Sequence, residues 1–105
     1  MQTPHIFSEK AGHKDIDYVF LFHGYTILVM KNGSNEVVDL SMSTVEQLLS
    51  GLSFFRIHRS YLVNLQRIKE LKIRDRQLLV RMRGHELPVA RRKKKELLNL
   101  LGAVN

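Results

Sequence analysis

Apolar residues in this chain fall into short alternating or continuous runs separated by turn-forming residues, a spacing that favours strands over helices. Ile16-Asp17-Tyr18-Val19-Phe20-Leu21-Phe22 is rich in aromatic and branched side chains and reads as a strand ending at His23-Gly24. Tyr25 to Met30 reads as a second strand. The Asn32-Gly33 pair then tolerates the positive φ angles of a tight hairpin, and Glu36 to Leu40 returns as a third strand. Ser41 or Ser43 offers a helix N-cap, with Ser43-Thr44-Val45-Glu46 fitting a capping box. Val45, Leu48, Leu49 and Leu52 share one face of a short helix that Gly51 ends.

Phe54 to Leu65 is extended, with a break near Arg59-Ser60. Ile68 to Ile73 and Gln77 to Met82 pair around the turn Arg74-Asp75-Arg76; Arg83-Gly84-His85 is a second turn, and Glu86 to Val89 returns. Leu97, Leu98, Leu100 and Leu101 give an apolar stripe to a C-terminal helix starting near Ala90. Residues 1–14 are polar, contain Pro4 and show no periodicity, so they are read as a flexible arm or linker remnant before a domain of residues 15–105. The expected class is mostly β with two short helices.

A chain of 105 residues makes one domain with a modest core, and 44% hydrophobic and 26% charged residues are ordinary for a globular protein. The absence of cysteine excludes disulfides, thiol catalysis and thiolate zinc sites. The five histidines show no ligand spacing, so no metal or other cofactor is expected. Paired carboxylates, an activated nucleophile and a phosphate loop are also lacking, which argues against an enzyme. No apolar run approaches the ~18 residues that span a bilayer, so no membrane insertion is expected. The N-terminus has no apolar signal region. These features suggest a cytoplasmic protein.

Charge is unevenly placed. Residues 56–95 hold 14 Lys and Arg against Glu70, Asp75 and Glu86, a local excess of eleven positive charges, while the rest of the chain is net negative. Such a concentration points to a polyanion. The pattern lacks the helices of a helix-turn-helix, the spacing of a zinc finger and the heptads of a basic zipper. A duplex would therefore have to be met by loops and strands.

Phe55-Arg56-Ile57-His58-Arg59-Ser60-Tyr61-Leu62-Val63-Asn64-Leu65, followed by Ile68, resembles the signature of the LytTR DNA-binding domain family, output modules of bacterial response regulators. Ile16-Asp17-Tyr18-Val19 with Gly24-Tyr25-Thr26 is similar to its opening strand pair, Leu48-Leu49 to its short helix, and Leu87-Pro88-Val89-Ala90-Arg91-Arg92 to its segment before the terminal helix. The resemblance covers residues 15–101. It implies small antiparallel sheets stacked into an elongated, sandwich-like body with one internal and one C-terminal helix. It further implies loops that enter successive major grooves at paired direct repeats, with a second copy on the neighbouring repeat, and transcription control under a two-component system. A receiver domain or sensor kinase would lie outside this chain, which fits either a complete small regulator or an excised C-terminal domain.

Carried over by position, the resemblance makes Arg59 and Arg91 base-contacting residues. The planar guanidinium of each can bond guanine O6 and N7 together. The third contact falls at Tyr25 or Thr26. Phosphate contacts are expected from His58, Ser60, Arg92, Lys93, Lys94 and Lys95. Lysines at a helix N-terminus oppose the helix dipole at about 0.3–1 kcal/mol each, a placement that makes sense beside an anion. Asn64 is expected to satisfy backbone groups in a turn; Tyr18, Phe20 and Phe22 are read as packing, and Lys69, Lys72, Arg74 and Arg76 as a solvated hairpin. Alternation would turn His58 to the face of Arg56 and Ser60. The alternative function is a β-rich RNA-binding or ribosome-associated module, since basic strands with aromatics also suit RNA. A protein- or anionic-membrane-binding domain ranks third.

Overall fold

Turn chemistry decides where this chain reverses, and three of its reversals are two-residue turns with both central residues at positive φ. They are His23-Gly24 (φ 50 and 84), Asp75-Arg76 (φ 52 and 68) and Arg83-Gly84 (φ 52 and 77). That mirror-image turn matches the right-handed twist of the flanking strands, which is why it closes tight hairpins. The computed structural model describes residues 12–102, so most of the expected arm, residues 1–11, lies outside the described residues.

The elements are β1 (Ile16–Phe22), β2 (Tyr25–Met30), β3 (Asn35–Val38), α1 (Met42–Leu48), β4 (Phe54–His58), β5 (Tyr61–Asn64), β6 (Glu70–Arg74), β7 (Gln77–Met82), β8 (His85–Pro88) and α2 (Lys94–Leu100). Single 3-10 turns precede β1, follow β5 and lead into α2. An antiparallel five-stranded sheet runs β3-β2-β1-β5-β4, and a three-stranded sheet runs β6-β7-β8. The body measures 43 × 31 × 24 Å, the elongated stack of small sheets expected.

The five-stranded sheet is covered on both faces. Tyr18, Val29, Phe55, Ile57 and Val63 on one face pack against Leu78, Val80, Met82 and Leu87 of the smaller sheet, with Leu97 of α2 closing the layer. Ile16, Val19, Leu28, Met30 and Leu62 on the other face pack against Met42, Val45 and Leu49 from α1 and its end. Strands covered on both faces read as continuous apolar runs, which explains the weak alternation of β1 and β2.

Two bulges adjust which way side chains point. The pairing of β1 with β2 shifts register between Ile16 and Tyr18, so the two residues serve opposite cores although they are two apart. The pairing of β4 with β5 shifts between Arg56 and His58. Simple alternation therefore fails for His58. Its ring lies 5.7 Å from that of Tyr61, which stacks on Phe20 in the layer facing the smaller sheet, whereas Arg56 turns toward α1.

Local details differ from the sequence expectation where competing partners exist. Ser41, not Ser43, caps α1, its hydroxyl accepting from Thr44 N–H at 3.1 Å. The expected Ser43–Glu46 box does not form, because Glu46 is drawn to Arg56 at 2.8 Å. The third strand runs Asn35–Val38 rather than Glu36 to Leu40, and the sixth begins at Glu70 rather than Ile68. The C-terminal helix opens with a 3-10 turn, Arg91–Lys93, before α2 proper.

Candidate nucleic-acid interface

The β4–β5 turn carries Arg59 at its tip, exposed and without an ion pair among the described residues. Nearly every polar group around it is engaged. Arg56 donates through Nε to the His58 carbonyl at 3.2 Å, through Nη2 to the Arg59 carbonyl, and through Nη1 to Glu46 Oε1 at 2.8 Å. Ser60 N–H donates to His58 Nδ1 at 3.1 Å, and the Ser60 carbonyl accepts from Leu21 N–H at 3.1 Å. The turn is thus fastened to β1, to α1 and to itself, and its exposed arginine projects from a fixed base.

Arg91 comes beside this turn through a single backbone bond. Ala90 N–H donates to the Ile57 carbonyl at 2.7 Å, placing the 3-10 turn Arg91–Lys93 against the end of β4. Chain dimensions keep the Cα atoms of Arg59 and Arg91 within about 18 Å. Arg91, Arg92, Lys94 and Lys95 are exposed and make no ion pair among the described residues. Lys93 differs: it is half-buried, with Nζ 5.2 Å from the centre of the Phe55 ring, a cation–π contact that ties the turn to β4.

The β1–β2 hairpin reaches the same end of the sheet, since the Leu21–Ser60 bond lies one residue before Phe22. Tyr25 is 61% exposed there, and Phe22 beside it 55%. Thr26 is 2% exposed, held between Leu21 of β1 and Val38 of β3, so its side chain is closed off from any base. Of the two residues expected at this position, Tyr25 alone is presented at the surface. Tyr25, Arg59 and Arg91 come from distant parts of the chain, and the strand pairing sets them along the same end of the five-stranded sheet.

Most other cations of residues 56–95 are spent on the protein itself. Asp17 pairs with Arg83 at 2.8 Å and with Arg67 at 3.6 Å, joining the strand bulge to the β7–β8 turn and to the 3-10 turn after β5. Asp17 is 3% exposed. Lys72 and Arg74 both pair with Glu86 across the smaller sheet, and Arg81 pairs with Glu70 at 3.6 Å. The hydrogen bond from Arg74, with Lys72 nearby, holds the Glu86 carboxyl below its usual range. Asn64 is buried; its amide donates to the Ile16 carbonyl at 2.9 Å and its oxygen accepts from Gln66 N–H at 3.1 Å, the backbone role expected of it. Tyr18 is core, and burial pushes its phenol up. Phe20 is half-buried, and Phe22 stands out in solvent.

Sequence reading missed Arg56 and Glu46. Both sit in segments it had parsed, but only the fold brings the helix and the turn together. Among the described residues no group of three or more His, Asp or Glu side chains could hold a metal ion. No helix among them is long and apolar enough to cross a membrane.

Comparison with known proteins gives the family and the fold. The family model of the LytTr DNA-binding domain matches residues 10–102, so the chain belongs to that family. A solved LytTr DNA-binding domain from Bacillus cereus superposes with a TM-score of 0.73 and 27% identity, over 85% of this chain and 83% of that one. The sensory transduction protein LytT of Bacillus subtilis is 33% identical over 90 residues, covering 84% of this chain and 37% of that protein. An uncharacterized response regulatory protein of Vibrio cholerae is 41% identical over 64 residues, 59% of this chain and 27% of that protein. The chain therefore spans only about a third of these relatives' length. It is a DNA-binding domain of the kind that response regulators use in transcription regulation.

Proposed function

We propose that the chain binds duplex DNA sequence-specifically, with the edge formed by Tyr25, Arg59 and Arg91 facing the bases. The observation that carries this reading is that Arg59 and Arg91, both exposed and without an acidic partner among the described residues, are brought to the same end of the sheet by the Ala90–Ile57 backbone bond. Each guanidinium can take guanine O6 and N7 together, and a spacing within about 18 Å suits two long side chains entering grooves of one duplex face. Tyr25 supplies an aromatic surface and a hydroxyl at the same edge.

Phosphates are the proposed ligands of His58, Ser60, Arg92, Lys94 and Lys95. Lys93 joins them by lifting from Phe55. These cations set affinity and salt dependence, and the arginines set sequence preference. Loops entering successive major grooves would place two copies on paired direct repeats. The longer relatives favour a receiver domain elsewhere in the intact protein and a sensor kinase upstream, in the cytoplasm.

The test is selection of binding sites from a random duplex library, with gel shifts of the recovered duplex against single-stranded RNA across salt concentrations. Enrichment of two direct repeats about one helical turn apart is expected. Recovery of no common sequence, or tighter binding to the RNA, overturns the proposal and favours the RNA-binding alternative.

A further inference from the structure

We propose that Arg56 is the positioning residue of the reading turn: it sets the direction of Arg59 without touching DNA. The inference rests on the reading of Arg59 as a base contact. Arg56 donates to the His58 and Arg59 carbonyls, which belong to the two peptide planes on either side of the Arg59 Cα. A peptide unit is rigid, so holding both planes fixes φ and ψ at Arg59 and with them the direction of its Cα–Cβ bond. The planar guanidinium suits this task because its donors have a fixed mutual geometry. Its third partner is Glu46 on α1, at 2.8 Å, and the Arg56 side chain is only 18% exposed. A cation so enclosed and already paired with a carboxylate has little to give a phosphate. Arg56 and Arg59 thus divide the work: one braces and the other reads.

The brace acts on specificity in a measurable way. Without it the turn must be ordered at the moment of binding, and ordering a flexible side chain and loop weakens binding. A roughly 5- to 10-fold loss of affinity for the selected duplex is expected.

The experiment measures binding of the selected duplex and a scrambled duplex of equal length, at several salt concentrations. The variants are Arg56→Gln, Arg56→Lys and Glu46→Gln, each alone and combined with Arg59→Ala. Arg56→Gln and Arg56→Lys are both expected to weaken the selected duplex, with the scrambled duplex and the salt slope unchanged. Lysine keeps the charge but not the fork. Glu46→Gln, which preserves both carbonyl bonds, guards against a folding defect and is expected to show a smaller loss of the same kind. In the Arg59→Ala background Arg56→Gln should cost nothing further, because its effect passes through Arg59.

Restoration by lysine together with equal weakening of both duplexes by Arg56→Gln would make Arg56 a phosphate ligand and overturn the inference. Additive losses in the Arg59→Ala background overturn it too. If the unaltered chain shows no preference between duplexes, the reading of Arg59 fails first and takes this inference with it.

Discussion

Replacing Arg59 by alanine should separate binding from folding more cleanly than any other change in this chain. The side chain is exposed and makes no ion pair or hydrogen bond among the described residues, and the turn beneath it is held by Arg56, His58 and Leu21. Nothing in the folded state depends on its guanidinium, so Arg59→Ala should leave stability within about 0.5 kcal/mol. A bidentate contact to guanine is worth about 1–3 kcal/mol of discrimination, which corresponds to roughly 5- to 150-fold in affinity for the selected duplex. The same change should move a scrambled duplex far less. Thermal melting gives the first quantity, and titration of labelled duplexes at fixed salt gives the other two. Equal weakening of selected and scrambled duplexes would make Arg59 a phosphate contact, and a large drop in melting temperature would mean that its exposed position misrepresents its role.

Other changes test other parts of the structure. Lys94→Ala is expected to weaken all duplexes alike, lowering the slope of log K against log salt by about one, while raising stability by about 0.3–1 kcal/mol as a cation leaves the first turn of α2. Titration across salt concentrations and a melting curve read both effects. Asp17→Ala should destabilise the fold by about 1–3 kcal/mol in urea unfolding, since it leaves Arg83 and Arg67 without their shared carboxylate at a partly exposed junction. Glu86 has its pKa depressed in the folded state, chiefly by the Arg74 hydrogen bond, so its contribution is present above the ordinary value of 4.5 and lost as pH falls through the lower folded value. Melting curves of Glu86→Gln and the unaltered chain should therefore differ near neutrality and converge at acid pH.

The charge of this protein shows most plainly what tertiary structure adds to a sequence. An excess of eleven positive charges over residues 56–95 looks like one broad field. In the fold, Arg56, Arg67, Lys72, Arg74, Arg81 and Arg83 are each paired with a carboxylate, three of them with acids from outside residues 56–95, Glu46 and Asp17. What remains at the edge is a smaller set with Arg59 and Arg91 at its centre. Counting charges could show that a polyanion was the partner, but not which cations were free to meet it.

Local order was largely legible. Strands β1, β2 and β7 begin and end where apolar runs meet His23-Gly24, Lys31-Asn32-Gly33 and Arg83-Gly84, because turn propensity and burial agree there. The signature from Phe55 to Leu65 identified the family and the β class before any coordinates, and it put Arg59 forward as a candidate base contact. Only the fold decided that Thr26 is buried and Tyr25 exposed, that bulges at Asp17 and Ile57 reverse the faces of their neighbours, and that Glu46 braces a turn instead of capping its own helix. Each of these depends on a partner far away in the chain. Sequence spacing carries the short-range preferences of the backbone, whereas which groups compete for one another is settled when the sheets and helices pack.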